Sequence, residues 1–519
     1  MANKYLLGVD FGTTGTRSII YDLQGNELGN TYKENIITYP EPGSYEYDGH
    51  SCAQVCYETT ALALKRSGID PRDIAAVSFS AIRGCFGMYD ENDEFVHPLI
   101  LWPDNRSLCK VPWMEERLAA LGITHDGLYD LTLFPFSPGW PSARILYFKD
   151  RWPEKWERVK KIGSLQTVVQ KIYGGDSNLD DAEDVGWFQQ HDAVTCKPLP
   201  QMQEAWGIPS ELFAKFVPTG TVIGKVSREC AEQTGLIEGT PLVCGSGDQE
   251  CMIVGTGCTE SGTVSTSIGT CGCIIVRSDE LHPDPSRKLN ICGSPGGAWQ
   301  MEGTTSAAGQ GYRWFRDALC QPEIGIAKQR GMDVYDMLNE LAEEVPAGCN
   351  GLMFLPYLVG AETPKFNRFA TGAFLGCNIE HRKGAFVRAV MEGACYELKA
   401  MLKVFRQSGL TLAKHRFSSG GSRSALWNQI LADVYNEPIT NVATSEATGL
   451  GAAMIAAVGV GLYSNYEEAA RKMVRVTKTW EPNPENVKIY EEGYALMQDA
   501  YETLTQNNIF RRIYEFNNR

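Results

Sequence analysis

The sequence of 519 residues is poor in positive charge and in histidine: 48 lysines and arginines stand against 63 aspartates and glutamates, with 7 histidines. A net charge of −15 excludes broad binding to nucleic acid or to an anionic membrane, which needs a basic field across the surface. No apolar run reaches the ~20 residues of a membrane span. The longest small and apolar stretch, 449–463, stops short of that and suits a closely packed helix. The opening Met-Ala-Asn-Lys-Tyr-Leu-Leu-Gly-Val-Asp10 holds no apolar segment of signal-peptide length. The 16 cysteines are scattered and form no Cys-x-x-Cys, which makes them reduced thiols rather than a disulfide scaffold or a zinc site. A cytoplasmic protein is expected. Missing motifs narrow the chemistry further. Gly224-Lys225 is followed by Val226, so there is no Walker phosphate loop; Gly245-Ser-Gly247 and Gly255-Thr-Gly257 lack the third glycine of a dinucleotide fingerprint; and no G-x-S-x-G elbow occurs.

What is present is an ordinary globular composition, 43% hydrophobic, on a chain long enough for two or more domains. Residues 5–10 form an apolar run ending in a carboxylate, 11–16 a Gly/Thr turn, and 17–22 a second β-rich run before a hairpin turn at 24–26. Helical spacing over 54–66 precedes an apolar strand at 74–79, which announces α/β architecture. The opening pattern then returns. Residues 240–248 form an apolar strand ending in Gly-Asp, and 263–276 again read strand, Gly/Thr turn, strand. Two related α/β units are expected, with a boundary at 250–260, further strands at 351–358 and 416–419, and helices over 384–405, 424–435 and 448–458.

Asp10-Phe-Gly-Thr-Thr-Gly-Thr-Arg17 has the parts of an anion cradle: glycines that expose backbone N–H groups, threonine hydroxyls (Thr13, Thr14) and a guanidinium. Asp10, at a strand end beside it, suits Mg²⁺, which takes one or two carboxylates with water and phosphate oxygens. Ser267-Ile-Gly-Thr270 makes a second cradle. Either loop alone also reads as a plain hairpin turn. Asp248 reads as a general base for a substrate hydroxyl, with Gln249 able to donate and accept hydrogen bonds to a polyol; it also reads as a turn aspartate capping a helix.

Asp10–Arg17, Gly245-Ser-Gly-Asp248-Gln249, Ser267–Thr270 and Ser419-Gly-Gly-Ser422 resemble the four signature segments of the FGGY carbohydrate kinases. The resemblance runs over nearly the whole chain, through Gly303-Thr-Thr-Ser-Ala-Ala-Gly309, Arg313-Trp-Phe-Arg-Asp317 and Leu426-Trp-Asn-Gln429. It implies two actin/hexokinase-like (ribonuclease H-like) α/β ATPase domains, 1–253 and 254–519, with the active site in the cleft between them. It also implies ATP-dependent, Mg²⁺-assisted phosphorylation of a small sugar or polyol, with Asp248 as the base and Asp10 and Asp248 near the metal. Thr13, Thr14, Arg17, Gly269, Thr270, Gly309, Gly420 and Gly421 would hold the nucleotide, and Arg83, Trp102, Asp104, Asp248 and Gln249 the acceptor. Gly449 and Gly451 are expected to serve packing. Departures bear on the acceptor: Gly84 and Gly139 stand where glycerol kinases carry glutamate and tyrosine, and Ile82-Arg83-Gly84 where xylulose kinases show Met-His-Gly. Residues 312–320 and Gly247-Asp-Gln249 look closest to xylulose kinases and autoinducer-2-type kinases, so a ketose or short polyol, xylulose-like or linear and pentose-derived, is the expected acceptor. A glycerol-type polyol kinase and an actin-like ATPase or chaperone module are the alternatives. The partners are ATP/ADP and the acceptor, with no nucleic acid and no membrane; the oligomeric state is open, a homodimer included.

Overall fold

The computed structural model describes residues 4–305, 308–444 and 446–517. The opening folds as an antiparallel meander of β1 (Tyr5–Phe11), β2 (Gly15–Asp22) and β3 (Glu27–Glu34). Helix α1 (Gly49–Ser67) follows. It starts where the Asp48 carboxylate accepts from the Ser51 N–H and stops at Gly68 in the left-handed region, the two end devices that satisfy orphan backbone groups. Strand β4 (Ile74–Ala81) lies parallel to β1, β6 (Pro241–Gly247) parallel to β4, and β5 (Val222–Lys225) antiparallel at the edge. The resulting sheet has six strands in the order β5-β6-β4-β1-β2-β3.

A second sheet of seven strands comprises β7 (Thr263–Ile268), β8 (Gly272–Ser278), β9 (Asn290–Ser294), β10 (Ala298–Thr305), β11 (Lys414–Ser418), β12 (Ile439–Val442) and β13 (Val476–Trp480), in the order β9-β10-β8-β7-β11-β12-β13. The duplication is in the pairing. On one side of β1, as of β7, stand two antiparallel strands in succession; on the other stand two parallel strands and an antiparallel edge. β9 is an addition to the second copy. One expectation is corrected. The strand at 240–248, read as the start of the repeat, is β6 of the first sheet, and the second copy begins at β7. The expected strand at 351–358 shortens to Met353–Leu355.

The expected helices appear as α1 and, in the second half, as α4 (Lys383–Gln407), α5 (Ala425–Tyr435) and α6 (Ala447–Gly459), after α2 (Asp248–Gly255) and α3 (Gly309–Leu319) earlier in the chain. Helices α2 and α6 follow the equivalent strands β6 and β12, and they cross in backbone contact. A Cβ on Gly255 would lie 1.8 Å from the Ala447 carbonyl oxygen, and one on Gly451 1.8 Å from that of Cys251. Gly449 packs on the Ile19 side chain, so both glycines serve packing. From its place in the second half, α6 buries Ala452, Met454 and Ile455 with Leu6, Ile19 and Val243 of the first sheet in one core. Each large apolar side chain so buried contributes about 1.5–3 kcal/mol. Among the described residues no helix is long and apolar enough to cross a membrane, and every cysteine is a free thiol.

Buried histidines make the fold acid-sensitive. His97, His191 and His415 are each pushed down to about 4 by burial, and neither ring nitrogen of His415 has a partner. Because their folded values lie below the unfolded value of about 6.5, the stability they contribute is complete above that pH and is lost as pH falls toward 4, up to about 3 kcal/mol for each. His415→Leu is expected to hold or raise Tm at pH 7.5 and to flatten the fall of Tm between pH 6.5 and 5, read by thermal melts; an unchanged slope contradicts this.

Candidate active site

The first turn, residues 12–14, is tied down from below. The Gly12 N–H donates to the Gly15 carbonyl at 3.0 Å, and the Asn35 amide donates to the Gly12 carbonyl at 2.8 Å. Thr14 is exposed, whereas the Thr13 hydroxyl accepts from the Trp102 indole N–H at 3.0 Å. Trp102 thus leans over the first loop, half exposed. Arg17 is engaged by Glu446 at 3.0 Å and lies over the Tyr32 ring, so the expected phosphate cation is already paired.

Asp10, at the end of β1, accepts from Ser80 of β4 at 2.7 Å and from Thr448 of α6 at 2.8 Å. Burial pushes its carboxyl up to about 6; the two hydroxyls pull the other way, while Asp248 and Glu446 add to the rise. Ser80 and Thr448 hold the side chain, and the nearby carboxylate that adds to the rise is Asp248, the first residue of α2, which follows β6 of the same sheet. Gly247 occupies the helix N-cap, so Asp248 is not the capping residue. Gly247 is needed for packing rather than for ligand approach: a Cβ there would meet the Glu250 carboxylate at 2.3 Å and Arg83 at 2.4 Å.

Arg83 is the centre of a buried ion cluster. Its guanidinium donates to Glu250 Oε1 and to Glu302 Oε2, each at 2.9 Å, faces the Cys292 sulfur at 3.7 Å, and stands 3.5 Å from Asp248 Oδ1. The Trp187 ring covers it at 4.9 Å, and the Trp187 indole N–H donates to Asp184 at 3.0 Å. Burial drives the Glu250 carboxyl well up and that of Asp184 up to about 7, against the pull of Arg83. Two of the residues expected at the acceptor have carboxylate or guanidinium partners within the protein. Arg83 does not offer a free fork to a ligand, because buried carboxylates occupy it. Asp104 has both oxygens taken by Arg106 and by the Tyr45 N–H, in a scaffold cluster with Glu41 and Glu46. Gln249 donates to Asp248 at 3.1 Å. Sequence reading missed Asp184, Trp187, Glu250 and Glu302. The signal available was Glu302 itself, a carboxylate inside a buried strand, since buried acids occur almost only when paired.

On the other side, the glycines expected to receive a nucleotide come together. Gly269, Thr270, Gly309, Gly420 and Gly421 line one cleft of about 380 Å³, walled by Tyr335 and Trp427 with Arg313, Asp336 and Asn339 at its rim. That volume lies in the range of small-molecule sites. Gly309 opens α3 so tightly against the second loop that a Cβ would sit 1.8 Å from the Gly269 carbonyl oxygen, whereas Gly269 and Gly420 have open space above them. Ser306 and Ala307, of the segment that leads into Gly309, lie outside the described residues.

Known proteins repeat this plan. The family described as FGGY carbohydrate kinases, N-terminal domain, matches residues 5–255, and its C-terminal domain matches residues 264–460. The chain belongs to the FGGY family of carbohydrate kinases. Similar FGGY relatives include an autoinducer-2 kinase of Enterobacter sp. strain 638, 30% identical with 96% of this chain and 94% of the relative covered. A xylulose kinase of Bacillus subtilis strain 168 is 26% identical, with 96% and 97% covered. The crystal structure of xylulose kinase from Rhodospirillum rubrum superposes with a TM-score of 0.87 at 24% identity over 98% of this chain and 100% of that one, which fixes the two-domain, actin/hexokinase-like FGGY fold. The protein is therefore an FGGY carbohydrate kinase, an enzyme of a family of ATP-dependent sugar and polyol kinases.

The two kinds of glycine environment predict opposite stabilities. Gly309→Ala is expected to lower Tm by at least about 3 °C through overpacking, and Gly420→Ala to leave it within about 1 °C. Thermal melts of the two variants without ligand check this; equal losses contradict it.

Proposed function

We propose that this FGGY kinase transfers the γ-phosphoryl group of ATP to a hydroxyl of a small ketose or linear pentose derivative, with Asp248 as the general base. One observation carries the role of Asp248. Of the three carboxylates ion-paired to Arg83, Glu250 and Glu302 are sealed, while Asp248 keeps 26% of its side chain open. The acceptor oxygen bonds to the γ-phosphorus, the bond between that phosphorus and the β,γ-bridging oxygen breaks, ADP departs, and the hydroxyl proton passes to Asp248. On this reading residues 1–253 carry the acceptor and the first loop, and residues 254–519 carry the nucleotide. Trp102 and Trp187 flank the acceptor and Gln249 lies beside the base, while Arg83 positions Asp248 instead of touching the sugar. The similarity to relatives named autoinducer-2 kinase and xylulose kinase supports an acceptor of that size.

Exposed Thr14 and Thr270 offer hydroxyl donors to phosphates, the Gly269 N–H being donated to the Cys271 carbonyl, and Gly269 and Gly420 leave room for the nucleotide. Asp10 and Asp248 offer the hard oxygen donors that Mg²⁺ prefers, and Asp248 is close enough for its charge to raise the Asp10 carboxyl. Bound there with ATP, the ion would offset phosphate charge. Asp10 is held for that task by the hydroxyls of Ser80 and Thr448. The reading places the enzyme in the cytoplasm, where ATP is supplied.

Incubation with Mg·ATP and a panel of ketoses, alditols and linear pentose derivatives tests it through ADP release. Asp248→Asn is expected to lower acceptor-dependent kcat/KM by roughly 10²–10⁴-fold; acceptor-independent hydrolysis that survives the substitution would sink the mechanism. Gly420→Ala, well folded, is expected to lose the rise in Tm that ADP gives the parent protein, and an undiminished rise would remove the cleft from the nucleotide site.

A further inference from the structure

The cluster around Arg83 is built with care for a group that touches no ligand. Glu250 sits two residues after Asp248, its Oε1 receives the Gln300 amide at 2.6 Å as well as Arg83, and its second oxygen lies where only a glycine at 247 leaves room. Glu302 approaches from the second sheet and Asp184 from beneath Trp187. Four carboxylates thus surround one guanidinium, and two of them hold its terminal nitrogens. Neighbouring guanidiniums are spent as well: Arg17 on Glu446, and Arg144 on the carbonyls of Leu101 and Gly139. The floor beside Asp248 therefore presents hydrogen-bond acceptors and negative charge, with no cation to spare.

From this, and resting on the proposed kinase reading, we infer that Glu250 is a specificity-determining residue: by holding Arg83 in a buried pair it makes the acceptor site one for neutral polyhydroxy compounds and closes it to aldonates, their carboxylated counterparts. Neutral hydroxyls donate to the carboxylates of the floor. A substrate carboxylate meets like charge, and can reach Arg83 only by displacing a buried partner, which leaves that partner uncompensated. Like-charge juxtaposition of this kind is a device of specificity rather than of affinity.

The experiment compares matched pairs, D-xylulose and xylitol against D-xylonate, and D-glucitol against D-gluconate, by Mg·ATP-dependent phosphorylation in the parent, Glu250→Gln and Glu302→Gln. The parent is expected to favour the better neutral member of each pair by at least about 100-fold in kcat/KM, and Glu250→Gln to shrink that ratio by at least about 10-fold, because the freed edge of Arg83 accepts the aldonate. A ratio within one enzyme is not moved by partial unfolding. Where Glu250→Gln does not fold, as judged by its melt, Glu302→Gln carries the same test. Aldonate preference in a reaction abolished by Asp248→Asn overturns this inference alone, as does a ratio that neither folded variant changes. Absence of any Asp248-dependent transfer to either class overturns the kinase reading beneath it and this inference with it.

Discussion

The molecule is organised by one crossing. Helices α2 and α6 follow equivalent strands of the two duplicated sheets and meet backbone to backbone, at Gly255 against Ala447 and Gly451 against Cys251. Nothing larger than hydrogen fits at either point, so the separation of the two helix starts is set by main chain, not by adjustable side chains. Those starts carry the chemistry. Asp248 opens α2, Thr448 in the first turn of α6 holds Asp10, and Glu446 just before it holds Arg17. Both carboxylates thus come from the first copy, while the second copy, through α6, supplies the hydroxyl and the glutamate that hold Asp10 and Arg17.

The two sides of that cleft handle charge in opposite ways. The glycine-lined side offers room, hydroxyls and backbone N–H groups, which suits an anionic nucleotide without requiring a basic surface. The side around Asp248 is acidic, and the guanidinium of Arg83 within it is paired with buried carboxylates. An acidic chain can therefore serve phosphate chemistry: the overall charge of −15 describes the surface and says little about either wall of the site.

Legibility in the sequence followed the distance over which a feature is decided. Loops, helix ends and the glycine cleft are local: Asp10–Arg17, Ser267–Thr270 and the turn at Ser419–Ser422 each carry their own conformational demand, and their convergence follows from the repeat. Arg83 is the counterexample. The family resemblance suggested a ligand contact, but its partners Glu250 and Glu302 lie 167 and 219 residues along the chain, and no local spacing announces them. The scaffold pairing of Asp104 escaped the sequence for a different reason. Its partner Arg106 is only two residues away, so the pair was visible, but the burial that makes it scaffold depends on Glu41 and Glu46. Similarly, the strand at 241–247 resembles the start of a unit because strands that end at a ligand share a composition, and only pairing with β4 assigns it to the first sheet.

The reach of α6 has a consequence for how the protein is made. Asp10 waits for a hydroxyl 438 residues downstream, and the apolar face formed by Leu6, Ile19, Ala76 and Val243 has its cover in the same late helix. A ribosome adding ~5–20 residues per second exposes the first half for tens of seconds before that helix emerges. Throughout that interval the apolar face lacks its α6 cover and Asp10 has only the Ser80 hydroxyl of its two partners. The first half is in this sense completed only by a helix encoded some two hundred residues beyond it, so the order of secondary structure along the chain sets when its core can close.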